Sequence, residues 1–130
     1  MLTALLLLLA APDIVGASCT VVDGDTLRCG AERVRLLGID APELPGHCQQ
    51  GRQCAPGDAH ASTRSLRAAV AKGTIVIQRI GTDRYGRTLA LVRAGATDLS
   101  CWQLSQGQAI YKPYWDNGGA LARTCPAARS

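Results

Sequence analysis

Apolar and polar positions alternate along the chain in short runs, and Gly, Pro and Asp punctuate them. The run "CTVVDGDTLRC", residues 19–29, predicts a β-hairpin: Val21 and Val22 lead into Asp23-Gly24, a strong turn signal, and Thr26-Leu27 resume the extended pattern. "AERVRLLGID", residues 31–40, predicts a third strand, with Val34 and Leu36 on one face and Arg33, Arg35 and Leu37 on the other. Gly38 interrupts it, as a bulge or a close backbone approach does, and Pro42 cannot donate to a ladder and so ends it.

Residues 44–57 are rich in Pro, Gly and Gln and predict a loop. Helix formers follow over residues 59–71, with Asp58 as N-cap, Gly73 as stop, and Ala59, Leu66, Ala69 and Val70 as a modest apolar face. "TIVIQRI", residues 74–80, and "TLALVRA", residues 88–94, are β-branched or apolar and predict strands around a turn, "GTDRYGR". A short helix is expected from Asp98, its cap, to Gly107, its stop, and a helical turn near Ala120 to Arg123. The order is β-β-β-α-β-β-α, without repeats or a second domain. That order predicts an α+β fold: a closed five-stranded OB-type β-barrel with two to three helices.

The first 17 residues stand apart. Leu5 to Ala11 form an apolar run too short to cross a bilayer as a helix, which takes roughly 20 residues. Val15-Gly16-Ala17 supplies the small residues of a cleavage site, so residues 1–17 are expected to be an export signal and residues 18–130 the domain. The segment departs from the usual pattern in lacking Lys and Arg; a retained anchor, or a lipid on Cys19, is the alternative. Secretion or residence in a periplasm follows, with no stable membrane insertion after cleavage, and a monomer is expected. The whole chain carries a formal charge of +4, which mildly favours a polyanionic partner.

Six cysteines behind an export signal read as three disulfides in an oxidising compartment. Cys19–Cys29 would cross the hairpin, Cys48–Cys54 would close the loop, and Cys101–Cys125 would pin the C-terminus. Zinc on Cys48, Cys54 and His47 or His60 is the rival, but "HCQQGRQC" lacks a close Cys-Cys knuckle.

Charges gather where apolar strands meet turns: Asp23 and Asp25 in "DGDT", Asp40 and Glu43 in "IDAPE", Arg87 in "DRYGR", with Arg35 inside the third strand. Taken singly, each is an ordinary turn or surface residue. Brought together, Asp25 and Asp40 would offer oxygen ligands to a hard divalent cation such as calcium. The two arginines would fork onto a phosphate, and Glu43 would be left to accept a proton from attacking water.

The blocks "VVDGDTLRC", "RVRLLGIDAPE" and "TDRYGRTLALV" resemble, in order and spacing, those of the thermonuclease family, the staphylococcal-nuclease-like domain. The likeness runs from about Thr20 to Lys112. It implies a five-stranded OB-type barrel and a calcium-dependent endonuclease of DNA and RNA that leaves 3′-phosphate ends. It also implies roles: Asp25, Asp40 and the carbonyl of Ala41 for calcium, Arg35, Glu43 and Arg87 for catalysis, and Tyr111 for a nucleotide phosphate. Arg84 and Tyr85, beside Arg87, would line the groove. Ala109 stands where the family's best-known form has a second tyrosine, leaving Tyr114 or Trp115 to stack on a base. The cysteine-closed loop replaces a lysine-rich one. A nucleic-acid-binding module without catalysis is the alternative, as is a small disulfide-rich structural or inhibitory protein.

Overall fold

The computed structural model describes residues 14–129. Nine strands and two α-helices follow one another as β1 Ile14–Val15, β2 Cys19–Asp23, β3 Thr26–Cys29, β4 Glu32–Leu36, β5 Ile39–Asp40, α1 Ala59–Val70, β6 Ile75–Thr82, β7 Thr88–Ala94, β8 Thr97–Asp98, α2 Leu99–Ser105 and β9 Ile110–Tyr111. Two 3₁₀ turns, Pro113–Trp115 and Pro126–Ala128, lie in the tail. The principal sheet runs β1-β6-β7-β4-β3-β2, with β8 beside β7, and β5 pairs with β9 in a second, two-stranded sheet. Every pairing is antiparallel except β4 with β7. The molecule is therefore an α+β domain with a mixed sheet, consistent with an OB-like fold. The pairings found among the described residues do not close that path into a ring.

The hairpin forms as its turn signal predicts, with Cys19 opposite Cys29 and Asp23 opposite Thr26. The expected single strand over residues 31–40 is corrected to two. Gly38 adopts φ +80°, a left-handed conformation that breaks the ladder between β4 and β5. A Cβ there would also come 3.0 Å from Leu121 Cδ2. The bend is held from outside: Ser100 Oγ donates to Leu37 O at 2.9 Å, and Lys112 N donates to Gly38 O at 2.8 Å. The predicted turn over residues 81–87 is shorter than expected, because Gly81 and Thr82 still pair with Leu89 and Thr88 and belong to β6.

Both helix caps are as predicted. Asp58 accepts from the N–H groups of His60 and Ala61, and Asp98 from that of Cys101. Leu66 and Ala69 of α1 and Leu99 of α2 are buried with Leu27, Val34, Leu36, Ile77 and Val92 of the sheet in one core. The three disulfides are Cys19–Cys29, Cys48–Cys54 and Cys101–Cys125, the pairing expected, so no thiol among them is left for zinc. The tail folds around Asp116, which is fully buried: Oδ1 accepts from Leu121 N, and Oδ2 from Ala122 N and the Tyr111 hydroxyl. Of the predicted leader, residues 1–13 lie outside the described residues. Ile14 and Val15 pair with Ile77 and Val76 at the outer edge of β6. No helix among the described residues is long and apolar enough to cross a membrane.

Candidate active site

The site grows from the turn between β2 and β3. Gly24 is there for space: a Cβ on it would stand 1.9 Å from Ser62 Oγ and 2.9 Å from Ala41 Cβ. The bare backbone lets α1 and the segment after β5 close on the turn. Gln103, fully buried on α2, fastens this contact, its amide nitrogen donating to Gly24 O at 2.8 Å and to Ser62 O at 2.9 Å. Asp25 is thereby brought to the end of β5. Its Oδ2 accepts from Ala41 N at 2.8 Å, and its Oδ1 from Thr26 Oγ1 at 2.9 Å.

Arg35 lies opposite Thr26 in the ladder of β3 and β4, and its guanidinium is buried between the two acids. Nη1 is 2.8 Å from Asp25 Oδ2 and Nη2 is 3.6 Å from Asp40 Oδ1. Nη1 also donates to Ile39 O at 3.2 Å. The Trp115 ring lies against the same guanidinium, its centroid 5.3 Å from Cζ, and Lys112 approaches that ring too. Asp40, only 2 % exposed, is held by the β5–β9 pairing opposite Ile110. Burial pushes its pKa up, Arg52 opposes, Asp25 adds to the rise, and Arg35 opposes in turn. Asp23 turns its Oδ1 towards the Asp25 amide at 3.4 Å. The residue reaches solvent, yet desolvation of its carboxyl together with the neighbouring Asp25 raises its pKa to about 6.

Arg87 arrives by a different route. Because β7 runs parallel to β4 with Leu89 beside Arg35, Arg87, in the turn just ahead of β7, lines the same groove. Its guanidinium is engaged by Asp83, Nε to Oδ2 at 2.7 Å, and lies against the Tyr85 ring. Burial alone would raise Asp83, but the amides of Arg87 and Tyr85 and the Arg87 side chain outweigh it and hold that carboxyl below its usual range. Arg84 and Tyr85 are exposed on the same groove wall. Tyr111 pairs with Ile39 and donates its hydroxyl to Asp116 Oδ2 at 2.5 Å, a bond that raises the phenol pKa.

Glu43, half-buried after Pro42, faces a partner that the sequence reading missed. Arg52, in the ring closed by Cys48–Cys54, places Nη2 3.0 Å from each Asp40 oxygen and contacts Glu43 Oε2 through Nη1. The one signal for it in the sequence is that Arg52 is the sole basic residue between those two cysteines.

The chemistry of the cluster is that of oxygen. Among the described residues no group of three or more His, Cys, Asp or Glu stands close enough to hold a metal. The set is two carboxylates with the Ala41 main chain beside them, which suits a hard cation that keeps several waters. A buried Asp40 whose pKa is pushed up, next to a second carboxylate, is a place where a cation relieves unfavourable charge.

Residues 33–126 match the family model described as staphylococcal nuclease homologue. The chain belongs to that family. Among curated relatives, the succinoglycan biosynthesis protein ExoI of Rhizobium meliloti (strain 1021) is 33 % identical over 124 residues, covering 93 % of this chain and 63 % of the relative. An uncharacterized endonuclease of Haemophilus influenzae is 35 % identical over 106 residues, covering 75 % of this chain and 54 % of that protein. One from Escherichia coli O157:H7 is 33 % identical over 108 residues, with 78 % and 64 % covered. The chain thus spans between about half and two-thirds of the length of these relatives. The family match begins at Arg33, so the hairpin bearing Asp25 lies before it.

Proposed function

We propose that this protein is an exported, calcium-dependent endonuclease that hydrolyses phosphodiester bonds of DNA and RNA and leaves 3′-phosphate ends. The observation that carries this reading is the joining of Asp25, Arg35 and Asp40 in one buried cluster, with Glu43 and Arg87 on the same groove. Family membership and the endonuclease names of two relatives support the reaction class. Three disulfides support an oxidising compartment.

Asp25, Asp40 and the Ala41 carbonyl would hold calcium, which when bound supplies Lewis acidity towards a phosphoryl oxygen. Arg35 and Arg87 remain charged throughout and bind the phosphate, their N–H donors strengthening as charge builds on its oxygens. The Trp115 ring and the Ile39 carbonyl fix the orientation of Arg35. Glu43 accepts the proton of the attacking water. The new P–O bond forms as the bond from phosphorus to the 5′-oxygen breaks; that oxygen takes up a proton from solvent to leave as the 5′-hydroxyl, and the phosphate stays on the 3′ side. Tyr85 and Arg84, on the groove wall, contact the nucleotide. Tyr111 supports the site by positioning β9 against β5.

Gel assays on single-stranded DNA, double-stranded DNA and RNA, each with calcium, magnesium or EGTA, test this reading. Digestion that EGTA stops and calcium restores is expected. Activity that survives chelation would overturn the calcium assignment, and calcium-linked binding without cleavage would make the chain a binding module.

A further inference from the structure

Among the described residues, Arg52 is the one basic side chain touching the acids for which the proposed reaction has no use. It belongs to the ring closed by Cys48–Cys54, and its own N–H donates to Gln49 O at 3.0 Å within that ring. The short tether confines the guanidinium near the two acids. Nη2 is 3.0 Å from both oxygens of Asp40, so it sits on the bisector of that carboxylate, while Nη1 takes Glu43. The bisector is also where a divalent cation sits when it takes a carboxylate through both oxygens, at roughly 2.3–2.6 Å. Even a cation on one oxygen would stand within a few ångströms of a fixed positive charge. Asp25 cannot hold the ion alone: its Oδ2 already accepts from Arg35 and Ala41 N, and its Oδ1, which accepts from Thr26, has one position left to offer.

We infer that Arg52 is the resident counter-ion of this cation site. In the metal-free protein it pairs with both Asp40 and Glu43, and calcium binds only as Arg52 is displaced. Loading then frees both carboxylates at once, one for the ion and one for the proton. Displacement works against the calcium affinity, so the loop sets the calcium concentration at which the site fills. The inference rests on the calcium reading above.

Calorimetric calcium titration and thermal melts in EGTA test it, without nucleic acid, on the parent, Arg52→Gln, Arg52→Met and Asp40→Asn proteins. Arg52→Met keeps the aliphatic stem in case the Gln variant folds poorly. The expected pair of signs is opposite: removing the charge lowers the melting temperature in EGTA, yet tightens calcium binding about tenfold. Calcium bound by the variants but not by the parent would support it more strongly. Equal or weaker calcium affinity in both Arg52 variants overturns the inference, since a merely structural arginine would lower both quantities. Asp40→Asn separates the two readings. If it binds calcium as the parent does, or if none of the four proteins binds calcium, the cation site itself is wrong and the inference falls with it.

Discussion

Single residues decide whether this groove is a site or a surface. Glu43→Gln is expected to lower kcat by about 10²–10⁴-fold with little change in nucleotide affinity, as befits loss of a general base. Equal losses in both, measured by steady-state kinetics and by binding in EGTA, would remove it from that role. Gly24→Ala should cost about 1–3 kcal/mol in thermal or urea melts, because a Cβ has no room between Ser62 and Ala41. An unchanged stability would mean that the hairpin turn can retreat from α1. The acids and Arg35 were legible in the sequence because each interrupts an apolar pattern at a turn or inside a strand, and three such interruptions recur in order. Arg52 was not. A lone arginine in a Gln- and Gly-rich loop has no periodicity to violate, and only the folded ring shows where its side chain ends. Gly24 is legible as a turn former, and it is one; its need for space shows only in the fold.

Elements position those residues through a few joints. Glu32, at the start of β4, accepts from Arg79 of β6 and Thr88 of β7, so one carboxylate ties three strands together. The bonds from Arg79, then that from Thr88, hold its pKa below the usual value of about 4.5. A depressed folded-state pKa means that the stabilisation is present above that value and is lost as pH falls through the lower, folded one. Glu32→Gln should therefore melt below the parent at pH 7, and the difference should shrink and then vanish as the pH is taken progressively below the usual carboxylate range. A gap that persists in acid would show that the contact is not carried by the ionised carboxylate. The five longer strands and both helices were readable from periodicity and caps. Strands of two residues, such as β5 and β9, carry no period at all. They exist because Gly38 turns the chain out of β4 and the tail, organised by Asp116, meets it there. Thus the strand that carries Asp40 depends on residues more than 70 positions later.

At the scale of the molecule, a modest positive charge is distributed to a purpose. Arg33, Arg64, Arg67 and Arg84 line the groove around the buried acids, a cationic rim suited to a polyanion and sensitive to salt. Local patterns predicted the strands but not their sheet order, because the parallel β4–β7 contact joins segments separated by a loop, a helix and two strands. That contact is nevertheless what brings Arg87, just ahead of β7, beside the strand that carries Arg35. The pairing of Ile14 and Val15 with β6, fastened by Gly16 N to Ile75 O at 2.7 Å, bears on the order of events in time. A peptidase making the cut expected after Ala17 would need an extended, accessible segment, and in the folded chain Ile14 to Gly16 are engaged at a sheet edge. Were that cut made, removal of the leader and completion of the sheet would compete. A chain cut before it folds would have an outer β6 edge without this partner, whereas a chain that folds first would shield the segment from the peptidase.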